Sequence, residues 1–228
     1  LSLYLNSLMN RGYITTIATS GSATVHDVEI AFFGQTSEDV AVELPKGRFG
    51  MSRETAEHFN AACKTGAGKQ MGLGEGLGAY IGEKEAPYRR YSVFCGAWER
   101  SIPATVHVAM GTDITHQHAT FSGAEVGDLS MRDFRILTSS VGRMFDAGVV
   151  VIFGSAVILP EVFLKAVSIG YNLGHKPKNV TAANFDMSSQ YRVRENVLSR
   201  PFAGSGKSYD LCGHHEIMLP LLYHLLEA

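Results

Sequence analysis

Apolar positions along the chain keep changing their period, and each change marks a boundary between a helix and a strand. In "LSLYLNSLMNRG", Leu1, Leu5 and Leu8 fall on one helical face, and Gly12 suits a C-cap. "YITTIATSG" is rich in β-branched residues and stops at small ones, which predicts a strand, with a helix over "ATVHDVEIAFFG". "SEDVAVELPKGRFGM" mixes Pro, Gly and scattered charge and reads as an excursion from the sheet. "SRETAEHFNAACKTG" predicts a helix with Ser52 as N-cap and Gly66 as stop. "LGEGLGAYIGEKE" predicts a weaker one, because of its glycines. Val93, Phe94, Ala97 and Trp98 have helical spacing, Ser92 could cap them, and a buried strand follows from Ala104 to Met110.

The second half alternates more plainly. "LSMRDFRILTSSVGRMFDAG" is an amphipathic helix with Leu129, Phe134, Leu137 and Val141 inward. "GVVVIFGSA" is a continuous apolar run, as a strand covered on both faces requires. "LPEVFLKAVSIGYNLG" reads as helix, "KNVTAANFD" as strand and "HEIMLPLLYHLL" as a closing helix. This alternation predicts an α/β fold, with a doubly wound, mostly parallel sheet and helices on both faces.

At 228 residues, 45% hydrophobic and 18% charged, the sequence is long and apolar enough for a single α/β domain over 1–228. It opens without Met and already in helical rhythm, so a strand preceding residue 1 is expected. A formal net charge of −2 argues against a general nucleic-acid or membrane-surface binder. No apolar run approaches the ~18 residues of a spanning helix, and no signal peptide is visible. Cys63, Cys95 and Cys212 lie far apart, as reduced thiols of a cytoplasmic protein would.

Small and polar residues recur where strands should end: "ATSGSA", "GTD", "FGSA" and "TAANFD". In parallel sheets ligands bind beyond those ends. Gly21 and Gly154 would let a ligand approach the backbone. Ser20, Ser155 and Thr181 could donate to phosphate or ribose, and Asp113 could accept from a ribose. Ordinary helix capping explains any single turn equally well. "PFAGSGKSYD" resembles a phosphate loop, but Pro201 stands where the first glycine belongs, and no buried strand feeds it. His116 and His118, and His214 and His215 beside Glu216, suit polar contacts better than a metal, since no third and fourth ligand stand at metal-site spacing. Arg192, Arg194 and Arg200 would form a basic wall suited to an anionic group.

The order of these motifs resembles the deoxyhypusine synthase family, and most closely its bacterial relatives, along nearly the whole chain. The carrying segments are "HDVEIAFFGQTSEDV", "GRFGM", "VHVAMGTD", "GSAVILPEVFLKA" and "GHHEIMLPLL". To authentic synthases the likeness rests on short islands. Those islands imply an NAD site at Thr19, Ser20, Gly21, Asp113, Gly154, Ser155, Thr181, Ala182 and His214, and a homotetramer. Lys207 in "GSGK" is similar to the lysine that accepts an aminobutyl group as an imine. The departures are Ser205 in place of a tryptophan, arginines in place of an acidic run, and His214 in place of an aspartate.

The resemblance therefore implies an NAD-dependent transferase acting on an amine or polyamine. Lys207 would form the imine, and His118 or His215 would move protons. His116, Glu161, Arg192 and Arg194 would meet a small-molecule substrate. A non-catalytic NAD- or nucleotide-binding protein on the same fold is the main alternative, and a metal-dependent hydrolase built on the histidines is a second.

Overall fold

The computed structural model describes residues 1–36 and 38–227. The chain divides into two compact units, Ser2–Asp133 and Phe134–Ala228. In the first, α1 (Ser2–Asn10) leads to β1 (Ile17–Ser20) and α2 (Gly21–Phe33), and the excursion contains the short α3 (Val40–Glu43). Helices α4 (Arg53–Gly68), α5 (Leu73–Glu83) and α6 (Val93–Glu99) precede β2 (Ala104–His107) and α7 (Gly123–Met144), whose residues from Phe134 onward belong to the second unit. Strands β1 and β2 are parallel, with Ile17 opposite Ala104 and Ser20 opposite His107. Val28, Phe59, Leu73, Leu77, Ile81, Phe94, Val106 and Leu129 form the core.

The helix expected to be weak, α5, is the most deeply buried of this unit. Its glycines explain why. A Cβ on Gly74 would lie 2.1 Å from the Ala104 carbonyl oxygen, and one on Gly78 would lie 2.4 Å from that of Phe94. Backbone contact with β2 and α6 outweighs the ~1 kcal/mol that each helical glycine costs relative to alanine. Two aspartates from distant positions, Asp133 buried and Asp27 half-buried, hold these helix starts. Asp133 Oδ2 accepts from Gly74 N at 3.0 Å and Val106 N at 2.8 Å, and Asp27 Oδ1 accepts from Val93 N at 2.7 Å. Burial pushes their carboxyls up, to about 7 for Asp133 and about 6 for Asp27, against the lowering effect of those N–H donors.

The second unit contains β3 (Val149–Phe153), α8 (Ile158–Asn172), β4 (Val180–Asp186) and α9 (Tyr191–Val193), which continues into a π-helical turn at Arg194–Ser199. Then come β5 (Gly206–Cys212) and α10 (His215–Glu227). Its sheet is parallel in the order β3-β4-β5. Leu137, Val141, Ile152, Phe163, Val167, Val180 and Phe202 are buried in this unit.

Strand–helix alternation with parallel pairing is thus observed in both units, with local differences from the sequence expectations. Strand β2 ends at His107, three residues early, and α4 runs past Gly66 to Gly68. Of the expected inner face of α7, Leu129, Leu137 and Val141 are buried but Phe134 is only half-buried. Val149 and Val151 are exposed, so one face of β3 is uncovered at its start. Of the "GSGKSYD" stretch, Gly204 and Ser205 are turn but Gly206 onward is strand, and every residue of β5 is exposed. No helix among the described residues is long and apolar enough to cross a membrane.

Candidate functional site

Thr19, Ser20 and Gly21 stand where β1 passes directly into α2. A Cβ at Gly21 would fall 1.9 Å from Asp113 Oδ2, so the Asp113 carboxylate rests against the first turn of α2. The partial positive charge of a helix start favours an anion there. Thr24 Oγ1 donates to the Gly21 carbonyl at 2.6 Å and closes the turn. The Ser20 hydroxyl meets that of Ser22 at 2.9 Å instead of capping the helix, and Thr19 Oγ1 reaches the Thr105 carbonyl only at 3.5 Å.

Asp113 is buried, and burial raises its carboxyl pKa, opposed by the adjacent His116 and a hydrogen bond from Thr112. His116 Nδ1 accepts from the N–H groups of Gly111 at 3.0 Å and Asp113 at 3.1 Å. A ring nitrogen that accepts leaves the proton on the other, Nε2, which lies 3.7 Å from Asp113 Oδ2. His118 turns elsewhere: its Nε2 donates to the Gly50 carbonyl at 2.9 Å. Gly50 N–H donates in turn to Glu38 Oε2 at 2.7 Å. His118, expected as a proton carrier, here ties down the "GRFGM" excursion.

In the second unit, Gly154, Ser155, His214 and His215 gather at the carboxyl end of the sheet. A Cβ on Gly154 would meet His215 Cε1 at 2.8 Å, and His215 Nε2 donates to the Phe185 carbonyl at 2.9 Å. Ser155 Oγ accepts from Leu159 N at 3.3 Å, a helix-start role, and His214 is exposed. Thr181 and Ala182 do not join them. They open β4, and Lys207 stands opposite Thr181. The carboxyl end of β4 is Asp186, opposite Cys212. Five residues separate Lys207 from Cys212, about 16 Å of strand. Lys207, Thr181 and Ala182 therefore lie at the far end of the sheet from Gly154 and His215. The expectation that they share one strand-end cluster is corrected: Thr181 and Ala182 are the second and third residues of β4 rather than its last, and Lys207 is the second residue of β5.

The basic wall is also divided. Glu161 accepts from Arg192 Nε at 3.2 Å and Asn196 Nδ2 at 2.8 Å, and it pairs with Lys165. Its carboxyl is held below the ordinary range, chiefly by the Lys165 hydrogen bond and then by Arg192. Arg200 pairs with Glu195 at 3.6 Å. Arg194 is exposed, and its guanidinium makes no hydrogen bond or ion pair among the described residues.

No protein-family model matches the chain, and no curated protein matches it.

Several polar residues near these sites went unmarked in the sequence. His107 lies opposite Ser20, is buried, and has its imidazole pKa pushed down to about 4 by burial, with Thr105 Oγ1 3.0 Å from its Nε2. "TVHVA" reads as a plain buried strand, so nothing local marks it. Asn184 and Asp210 face each other across β4 and β5, with Asn184 Nδ2 donating to Asp210 Oδ1 at 2.8 Å. Their pairing depends on β5, which the polar sequence hides.

Proposed function

We propose that the chain binds a nicotinamide dinucleotide in the manner of the deoxyhypusine synthases, with Asp113 accepting from the adenosine ribose hydroxyls. The observation that supports this is the carboxylate itself, buried against Gly21 beyond the end of β1. An anion at that spot repels phosphate and accepts from a hydroxyl, so the ribose is the part of the dinucleotide that fits there. Thr19 and Ser20 line the same turn. NAD, when bound, supplies a hydride acceptor. The fold that accompanies this reading is a doubly wound, Rossmann-type one, and the protein is cytoplasmic. The test is calorimetric titration of NAD into the chain. Saturable binding is expected, and no heat at millimolar NAD would end the proposal.

A second reading adds chemistry: NAD-dependent aminoalkyl transfer through Lys207. NAD, when bound, would accept a hydride from a carbon bearing an amine, whose nitrogen would lose a proton to water as the imine forms. Lys207 attacks that carbon and the original amine leaves, so the imine passes to the lysine. The observation favouring this is the open position of Lys207 on β5, exposed along its whole length. Covering that strand and the exposed stripe Ile217, Leu221 and Leu225 of α10 would suit a homotetramer.

A further inference from the structure

A recess of about 450 Å³ lies over one face of β5, lined among others by Arg194, Leu198, Phe202, Ser208 and Asp210. Side chains alternate along a strand, so Ser208 and Asp210 face this recess while Lys207 and Tyr209 face the opposite side. Its two charges have opposite signs and neither has a charged partner. The Arg194 guanidinium makes no hydrogen bond or ion pair among the described residues. Asp210 is held by neutral donors only, Asn184 Nδ2 on Oδ1 at 2.8 Å and Ser189 Oγ on Oδ2 at 2.7 Å. Those two bonds hold one lone pair on each carboxylate oxygen and leave the remaining ones for another donor. Asn184 is itself buried, with its Oδ1 lacking any partner. Leu198 and Phe202, both buried, contribute apolar surface to the same lining.

We infer that this recess binds a small zwitterion, an amino acid whose carboxylate pairs with Arg194 and whose ammonium is held by Asp210. A planar guanidinium is matched to a carboxylate, and a fixed carboxylate to an ammonium. The apolar lining of Leu198 and Phe202 suits the methylene chain of such a ligand. A polyamine would meet Arg194 unfavourably, and a simple anion would leave Asp210 unanswered. The inference is independent of the nucleotide proposal, since it uses none of the same residues.

The test is ligand-observed NMR on the full chain, using glycine, β-alanine, 4-aminobutyrate and 6-aminohexanoate. Each is compared with the amine and the acid of matching length, and with inorganic phosphate. At least one amino acid should bind about tenfold tighter than its matched amine and acid. Arg194→Gln and Asp210→Asn should each lower that affinity by about tenfold. Arg194 is exposed and unpaired, so its variant keeps the fold. The inference is overturned if none of the four binds. It is equally overturned if an amine, an acid or phosphate binds as well as the zwitterion, or if Arg194→Gln has no effect.

Discussion

Asp113 lies so close over Gly21 that a Cβ at position 21 would fall 1.9 Å from its Oδ2. The absence of a side chain at the start of α2 is what admits the carboxylate. Gly21→Ala should therefore push Asp113 out of place and destabilise the chain by about 1–3 kcal/mol. NAD affinity should fall with it. Denaturant titration measures the first effect and calorimetry the second; an alanine variant with unchanged stability would show that the contact is not tight.

The packing of α5 makes a prediction with opposite signs at two glycines. Gly74→Ala would drive a methyl to 2.1 Å from the Ala104 carbonyl, and should cost ~3 kcal/mol or more. Gly127, in α7, has nothing within 4 Å of its would-be Cβ. Gly127→Ala should stabilise by roughly 0.5–1 kcal/mol, because alanine loses less freedom in a helix. Melting temperatures moving the same way in both variants would contradict this account of the core.

Asp133 gives the chain a stability that depends on pH. Its folded carboxyl sits at about 7, above the ordinary 3.8 that it regains on unfolding. Between these values the folded state holds a proton that the unfolded state has lost, so stability falls as pH rises through the window, by about 1.4 kcal/mol per pH unit at most. The contribution is fully present below the lower value and gone above the upper one. Asp133→Asn cannot ionise, so its stability should decline less between pH 5 and pH 8, by roughly 2 kcal/mol. Parallel pH profiles for the two proteins would refute the assignment.

Lys207 distinguishes the transferase reading from simple binding. In the presence of NAD and an amine substrate, borohydride should trap an adduct on wild-type protein. Lys207→Arg keeps the charge but cannot form the imine, so the adduct should vanish while NAD affinity changes by less than ~1 kcal/mol. Trapping that persists in the arginine variant excludes this lysine.

Some of this architecture is legible in the residues, and the rest fails for identifiable reasons. Ser52 and Ser92 read as helix caps and act as such, accepting from Thr55 N at 3.5 Å and Cys95 N at 2.9 Å. Asp113 reads as a strand-end acid, and its burial and closeness to Gly21 depend on a fold that joins positions 92 residues apart. The glycines of α5 read as weakness because propensity is local, whereas Gly74 and Gly78 answer to backbone from β2 and α6. Strand β5 has no apolar run because it is exposed on both faces, so "GSGK" looks like a turn. That hidden strand puts Lys207 at the amino end of the sheet, and Thr181 stands there because β4 begins at Val180. Asp27 and Asp133 carry no local signal, since each caps a helix about 60 residues away.

The most direct test of the central claim compares NAD with an analogue lacking both adenosine ribose hydroxyls, in wild type and in Asp113→Ala. Wild type should bind NAD about tenfold tighter than the analogue, as a hydrogen bond to a buried carboxylate implies. Asp113→Ala should bind both equally, at the weaker affinity. If the variant still prefers NAD by the wild-type margin, or if wild type shows no preference, Asp113 does not hold the ribose.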